Sequence, residues 1–168
     1  MVRSVRTFLP VSGEPKALAA AFDDDPVRWL PAARRVGSDA FALTVRAGNL
    51  SRSVRATVGY PWRAGATRWR TLSWDPVGID DDGDTIERLL PSMDGELGLH
   101  IETHGRVTLV LDARYRPPGG PVGVAIDAVG LGRVAQGTVE RFLADVAARL
   151  SAEALLVKDG SPAGNPPG

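Results

Sequence analysis

Residues 106–115 read RVTLVLDARY, residues 116–121 read RPPGGP, and from roughly Val124 to Leu150 the pattern turns helical. In the first stretch Val107, Leu109, Leu111, Ala113 and Tyr115 fall on alternate positions, and so on one face of a β-strand. The second stretch, with its prolines and glycines, cannot continue a sheet. In the third, Leu131, Ala135, Thr138, Phe142 and Val146 recur at steps of three or four, with Val139, Leu143 and Leu150 beside them. Glu140, Arg141, Asp145 and Arg149 take the opposite side. At about 1.5 Å per residue this helix is on the order of 40 Å long. A strand with one apolar face is therefore followed by a helix with a matching apolar stripe.

Upstream of that stretch the chain is a series of strand signals. His104-Gly105 marks a turn before it. Residues 86–91 and 96–102 flank Ser92-Met93-Asp94-Gly95, and Asp-Gly between two strands predicts a hairpin. Thr67–Trp74 (TRWRTLSW) is a strand after the loop GYPWRAG, residues 59–65. Before it, Val54, Ala56 and Val58 alternate on one strand, and Phe41, Leu43 and Val45 on another, joined by a turn at Gly48-Asn49. Six consecutive strands with short connections make an antiparallel meander. Residues 2–11 add a seventh at the start. Between it and the meander lie EPKALAAAF (residues 14–22), with Pro15 in its first turn, and a second short helix capped by Asp25 and begun by Pro26. Trp29, on that second helix, is large enough to anchor it against a sheet.

The expected architecture is α+β: a seven-stranded curved antiparallel sheet wrapped around a long C-terminal helix, with two short helices after the first strand. One domain spans residues 1–152. Residues 153–168 are expected to form a flexible tail, because the terminal DGSPAGNPPG has nothing to bury. A strongly bent sheet cannot touch a straight helix along its whole length, so a cavity is expected between them. Gly130, Gly132 and Gly137, with Ala128, Ala135 and Thr138, make the helix small where it would face that gap.

Composition limits what such a domain can do. The chain has 168 residues, and 20 basic side chains balance 20 acidic ones. A protein living on nucleic-acid phosphates would carry a basic excess, so nucleic acid is not an expected partner. Arginine dominates the basic residues, as a GC-rich genome would produce. Without cysteine, disulfides, thiol catalysis and cysteine-ligated metals are excluded. No apolar run approaches the ~18 residues of a membrane span, and MVRSVRTFLPV is no secretory signal, so a cytoplasmic location is expected.

Several motif fragments fail on their context. His100, Glu102 and His104 spell H-x-E-x-H, but on a strand the two His lie roughly 13 Å apart, too far for one ion. Gly130-x-Gly132-x-x-Ala135 matches a loose dinucleotide fingerprint, yet a proline-rich loop rather than a strand precedes it. The acidic stretch Ile79–Glu87 lacks the spacing of a calcium loop. No metal and no cofactor is expected. The candidate ligand-binding residues are apolar or small. Trp29 would close one end. Phe41, Leu43, Leu109, Leu111 and Tyr115 come from the strands, and Leu131, Ala135, Thr138 and Phe142 from the helix. Trp69 and Thr71 join them if Arg68 and Arg70 mark the solvent face of their strand.

Three stretches carry a family likeness: PVRWLP (residues 26–31), PSMDGEL (residues 91–97) and ARYRPPGGP (residues 113–121), the last running into the helix through Asp127 and Arg133. With the order of elements over roughly residues 1–150, the chain resembles the START-like (SRPBCC) superfamily, and most of all its stand-alone bacterial members. That superfamily includes birch-pollen-allergen proteins, polyketide cyclases and lipid-transfer domains. The resemblance implies the helix-grip fold and a cavity between sheet and C-terminal helix that takes a lipid, polyketide or aromatic compound. It carries over no catalytic residue. An alternative is an enzyme of the polyketide aromatase/cyclase type, with Tyr115, Asp127 or His100 as general acid or base. A third reading is an interaction module that uses sheet or tail to bind a protein or to form a homodimer.

Overall fold

The computed structural model describes residues 3–47, 50–75, 92–116 and 128–159. The order of elements is β1 (Arg3–Val11), α1 (Pro15–Asp23), a single 3₁₀ turn (Pro26–Arg28), β2 (Arg34–Arg35), β3 (Ala40–Ala47), β4 (Leu50–Val58), β5 (Trp62–Ala64), β6 (Thr67–Asp75), β7 (Ser92–Ile101), β8 (Val107–Arg116) and α2 (Ala128–Asp159). Among the described residues the strands form one antiparallel sheet in the order β1-β8-β7-β6-β4-β3-β2, with β5 paired to β6. The α+β reading and the long terminal helix hold. Eight strands are described rather than seven: the three-residue β5 lies in the loop at residues 59–65 and the two-residue β2 precedes β3, while of the two strands expected at 86–91 and 96–102 only β7 falls among the described residues.

Helix α2 packs on α1, on β1 and on β3. β1 is one end of the strand order, and β3 lies next to the other end. One helix can rest against both only if the sheet curls around it. Its buried side is Thr138, Val139, Phe142, Leu143, Val146, Ala147, Leu150 and Ala154, the three–four spacing read from the sequence. At about 1.5 Å per residue, α2 is ~48 Å long. It continues to Asp159 with Ala154 in the core, so residues 153–159 are helix rather than flexible tail. Residues 160–168 lie outside the described residues. No helix among the described residues is long and apolar enough to cross a membrane.

Three local expectations are corrected. Ser92–Gly95 is not a hairpin turn: β7 runs straight through it, with Asp94 opposite Arg114 and Gly95 opposite Ala113. Gly95 is needed for closeness, since a Cβ there would collide with the Asp112 carbonyl and with Ala113. The expected strand at 86–91 lies outside the described residues. Gly137 does not face the sheet; it is exposed, and an added Cβ would meet nothing within 4 Å. The third correction concerns β6. Arg70, Leu72 and Trp74 point inward, while Trp69, Thr71 and Ser73 point outward.

The two arginines turn inward because fixed acceptors wait for them. Arg70 Nε donates to the Phe22 carbonyl at 3.0 Å, and Nη1 to the Gly59 carbonyl at 2.9 Å. Its Nη2 donates to the carbonyls of Asp23 and Asp24 at 2.9 and 2.8 Å. Arg68 Nε donates to Asp23 Oδ2 at 2.9 Å. The end of α1, where carbonyls lack helical partners and the dipole is negative, is thus capped from the sheet.

Candidate functional site

The inner face of the sheet is organised in rows across the strands. One row runs Phe41–Ala56–Trp74–Met93–Tyr115, each residue opposite the next. The edge of Phe142 on α2 meets Trp74, with ring centroids 5.1 Å apart. This row lies at the end of the sheet where β6 finishes, β7 begins and β8 finishes. Here a cavity of about 430 Å³ opens, lined by the buried Trp74, Met93 and Tyr115 together with Ser73, Asp75, Ser92, Asp94, Arg114 and Arg116. That volume lies in the range of small-molecule sites, which are typically apolar within and carry a few polar groups.

Alternation explains this division. Met93 and Tyr115 face inward, while their chain neighbours Ser92, Asp94, Arg114 and Arg116 point to the other side. One step along the strand, about 3.3 Å, takes the lining from apolar to charged. The row on the interior side of the mouth includes Leu72, Gly95 and Ala113, so it offers small side chains on β7 and β8.

The candidate residues divide by the face they occupy. Phe41, Leu43, Leu109, Leu111, Tyr115, Thr138 and Phe142 are all buried on the inner face of the sheet or the packed side of α2. Of these, Tyr115 lines the cavity mouth, and Phe142 supports it through Trp74. The side chains of Leu131 and Ala135 lie outside the described residues, as does Asp127. Trp29 is fully buried, stacked on Phe22 at 5.4 Å and under the Arg70 guanidinium at 5.7 Å. Its indole N–H has no acceptor among the described residues. An orphan donor of this kind costs about 1–3 kcal/mol unless another molecule meets it.

Trp69 and Thr71 are placed on the far side of the sheet. The Trp69 ring stacks on Trp62 at 6.1 Å and lies over Gly98, where an added Cβ would come within 2.7 Å of it. It belongs to an outward row, Phe8–Val110–Gly98–Trp69–Trp62, that crosses five strands. Phe8 and Trp62 are exposed at its two ends. His100 also faces outward, 2.8 Å from the Thr67 hydroxyl, and Glu102 accepts from Arg106. No group of three metal-ligating side chains gathers among the described residues.

Two residues of the mouth, Trp74 and Met93, were not among the sequence candidates. Trp74 carried a signal, the shared parity with Leu72, but the arginines of the same parity pointed the wrong way. Met93 was hidden by the turn assigned to Asp94-Gly95.

A second hollow of about 360 Å³ lies between β3, β4 and α2, lined by Pro31, Ala32, Thr44, Arg46, Ser51, Asp145, Ala148 and Arg149. It is bridged by Arg46, whose Nη2 donates to both oxygens of Asp145 at 2.6 and 2.8 Å. That pairing raises the Arg46 guanidinium above its ordinary pKa. The polar bridge makes this hollow a poor host for an apolar molecule.

Comparison with known proteins agrees with this geometry at the level of the fold. No family model matches the chain, and no curated protein matches it. Among solved structures, it is similar to the Zhui aromatase/cyclase from Streptomyces sp. R1128, with a TM-score of 0.61 and 14% identity over 98% of this chain and 100% of that one. It is also similar to a START superfamily protein from Mycobacterium smegmatis, with a TM-score of 0.51 and 14% identity over 92% and 98%. A truncated norcoclaurine synthase from Thalictrum flavum gives 0.55 and 10% identity over 96% of each chain. The chain therefore has the helix-grip fold of START-like proteins.

Proposed function

We propose that this protein binds an apolar or amphiphilic small molecule between the curled sheet and α2, entering at the end of the sheet bounded by Trp74, Met93 and Tyr115. The observation that carries the reading is the cavity of about 430 Å³ at that end, where the buried Trp74, Met93 and Tyr115 meet polar and charged neighbours. Burial of ligand surface would supply the affinity, at about 25 cal/mol per Å² before the costs of association. The fold likeness to an aromatase/cyclase and to a START superfamily protein is in keeping with this reading. The test is native mass spectrometry of the purified protein, with a thermal-shift screen of fatty acids, sterols and polycyclic aromatics. At least one class should bind at micromolar concentration. A blank across all three classes would overturn the reading and turn attention to the outer aromatic row ending in Phe8 and Trp62.

An enzyme of the cyclase type is the second reading, and Tyr115 is the observation that favours it. Its side chain lines the mouth and is only 6% exposed. A phenol there could protonate a carbonyl oxygen of a bound ketide. His100 faces the other way. Tyr115→Phe would abolish turnover and spare binding if this reading holds; full turnover in that variant would end it.

A further inference from the structure

We propose that the free edge of β1 is an interface between two copies of this chain, joined antiparallel about a two-fold axis at Thr7. β1 is one end of the strand order and runs nine residues, Arg3–Val11. Which of its backbone groups face out follows from the ladder. Glu102 N–H donates to the Arg106 carbonyl at 2.8 Å, in register with the β7–β8 pairing. Even-numbered residues of β8 therefore bond to β7 and odd-numbered ones to β1. Odd-numbered residues of β1 lie opposite those odd ones, as Val5 does to Ala113. Ser4, Arg6, Phe8 and Pro10 thus turn their backbone groups to the free edge, and Pro10, with no N–H for the ladder, fits that parity. All four are exposed. Among the described residues, no hydrogen bond reaches the N–H groups of Ser4, Arg6 and Phe8.

The two ends of the sheet differ. The far end is the two-residue β2, Arg34-Arg35, both exposed, an edge too short and charged to pair. β1 is long, carries Phe8 at 60% exposure and leaves Thr7 and Leu9 partly buried on its inner side. Its sequence is also self-complementary. About Thr7, Arg6 falls opposite Phe8 of the second copy, Val5 opposite Leu9, and Thr7 opposite itself. These are a guanidinium beside a phenyl ring, an aliphatic pair and a threonine pair, and no like charges meet. Arg6 and Phe8 exchange N–H and carbonyl groups between copies, and Ser4 N–H meets the Pro10 carbonyl. An axis at Arg6 would oppose two guanidinium groups. An axis at Phe8 would move the missing Pro10 N–H from the end of the ladder toward its middle. Each copy uses up its one long free edge, so the pair closes and no fibre grows. Arg3 pairs with Tyr115 beside the cavity mouth, so the two mouths open at opposite ends of the joined sheet.

The chain has no cysteine, so single cysteines report the register without background. Thr7→Cys places two thiols in a non-hydrogen-bonded pair, whose Cα atoms lie about 4.5 Å apart, within disulfide range. Under mild oxidation it should cross-link at least about ten-fold faster than Ser38→Cys, an exposed control away from β1. Analytical ultracentrifugation of the wild type should show dimers with a Kd of about 1–100 µM, as suits a small interface. Phe8→Lys sets a cation against Arg6 and should raise that Kd at least about ten-fold; Phe8→Glu gives Arg6 a carboxylate and should keep the dimer. Association through an apolar patch alone would suffer equally from both. Phe8 is exposed, so both variants should keep the wild-type urea midpoint, which shows that they are folded. A wild type still monomeric at about 1 mM, equal losses in the two charged variants, or cross-linking of Thr7→Cys no faster than the control overturns the proposal.

Discussion

The guanidinium of Arg70 donates to four carbonyl oxygens, three at the end of α1 and one at Gly59, where the chain leaves β4 for β5. It is 4% exposed and lies over the rings of Phe22 and Trp29. Burial pushes its pKa down from the ordinary value, and the carboxylates of Asp23, Asp25 and Asp24 push it back up. The side chain thus joins α1, the 3₁₀ turn, β4 and β6 at one point. Arg70→Leu would leave buried carbonyls without donors, so it should lower unfolding stability by at least about 3 kcal/mol. Arg70→Lys should recover less than half of this, because a point ammonium cannot span the fork's acceptors. Urea unfolding measures both; a loss under about 1 kcal/mol for the leucine variant would mean that water already serves those carbonyls. The strand reading of TRWRTLSW separated two faces correctly. It could not say which faced in, since a buried arginine looks like a surface one until its acceptors, 46–48 residues away in sequence at α1, are brought to it.

Helix α2 and the caps of α1 and the 3₁₀ turn carry the next two expectations. Gly137 is helical, exposed and has open space where a Cβ would go. Gly137→Ala should therefore stabilise the protein by about 0.5–1 kcal/mol, read as a shift of the urea midpoint. A destabilisation would mean that the glycine contacts something in the folded state. At the other helix, the Glu14 carboxylate accepts from the N–H groups of Lys16 and Ala17, at 3.1 and 2.7 Å. Asp25 accepts from Val27 N at 3.0 Å and from Arg35 at 2.7 Å. Backbone donors hold Glu14 below the usual carboxylate range; for Asp25 the Arg35 contact comes first and the backbone second. A depressed folded-state pKa means that stability is present above the unfolded value and lost as pH falls through the folded one. Below about pH 4 the wild type should therefore weaken more steeply than a Glu14→Gln/Asp25→Asn variant. Parallel pH–stability curves for the two proteins would exclude these caps as the cause. The second cap was legible in the sequence as Asp25-Pro26, because capping is local chemistry. The turn assigned to Asp94-Gly95 was legible in the same way and wrong, because there the glycine answers to Asp112 and Ala113 on the neighbouring strand.

A curled sheet held open by one helix has a simple consequence for binding. A ligand that enters only the folded state stabilises it by mass action, about 2.7 kcal/mol at a hundred times its Kd. For a chain of this size that corresponds to a rise in Tm of about 5–10 °C. A bound compound that left Tm unchanged would be sitting on the unfolded chain or on the outer surface, and not between sheet and helix. The ion pair of Arg46 with Asp145 ties α2 to β3, while Phe142 contacts Trp74, so the helix is anchored on both sides of the row that leads to the mouth.

Alternation at period two and recurrence at three or four were enough to read the long helix, the longer strands and their order, though not β2, β5 or the first half of β7, because both patterns follow from backbone geometry within a few residues. They also picked out Phe41, Leu43, Leu109, Leu111, Tyr115, Thr138 and Phe142 as inward-facing. The inward face of β6, the straight course of β7 through Gly95 and the position of the mouth at Trp74 and Met93 depended on partners far away along the chain. Those partners exert their pull only when the sheet has closed around α2. Steric and hydrogen-bond demands between distant segments have no signature in a local pattern, and here they chose which of two equally regular faces became the interior.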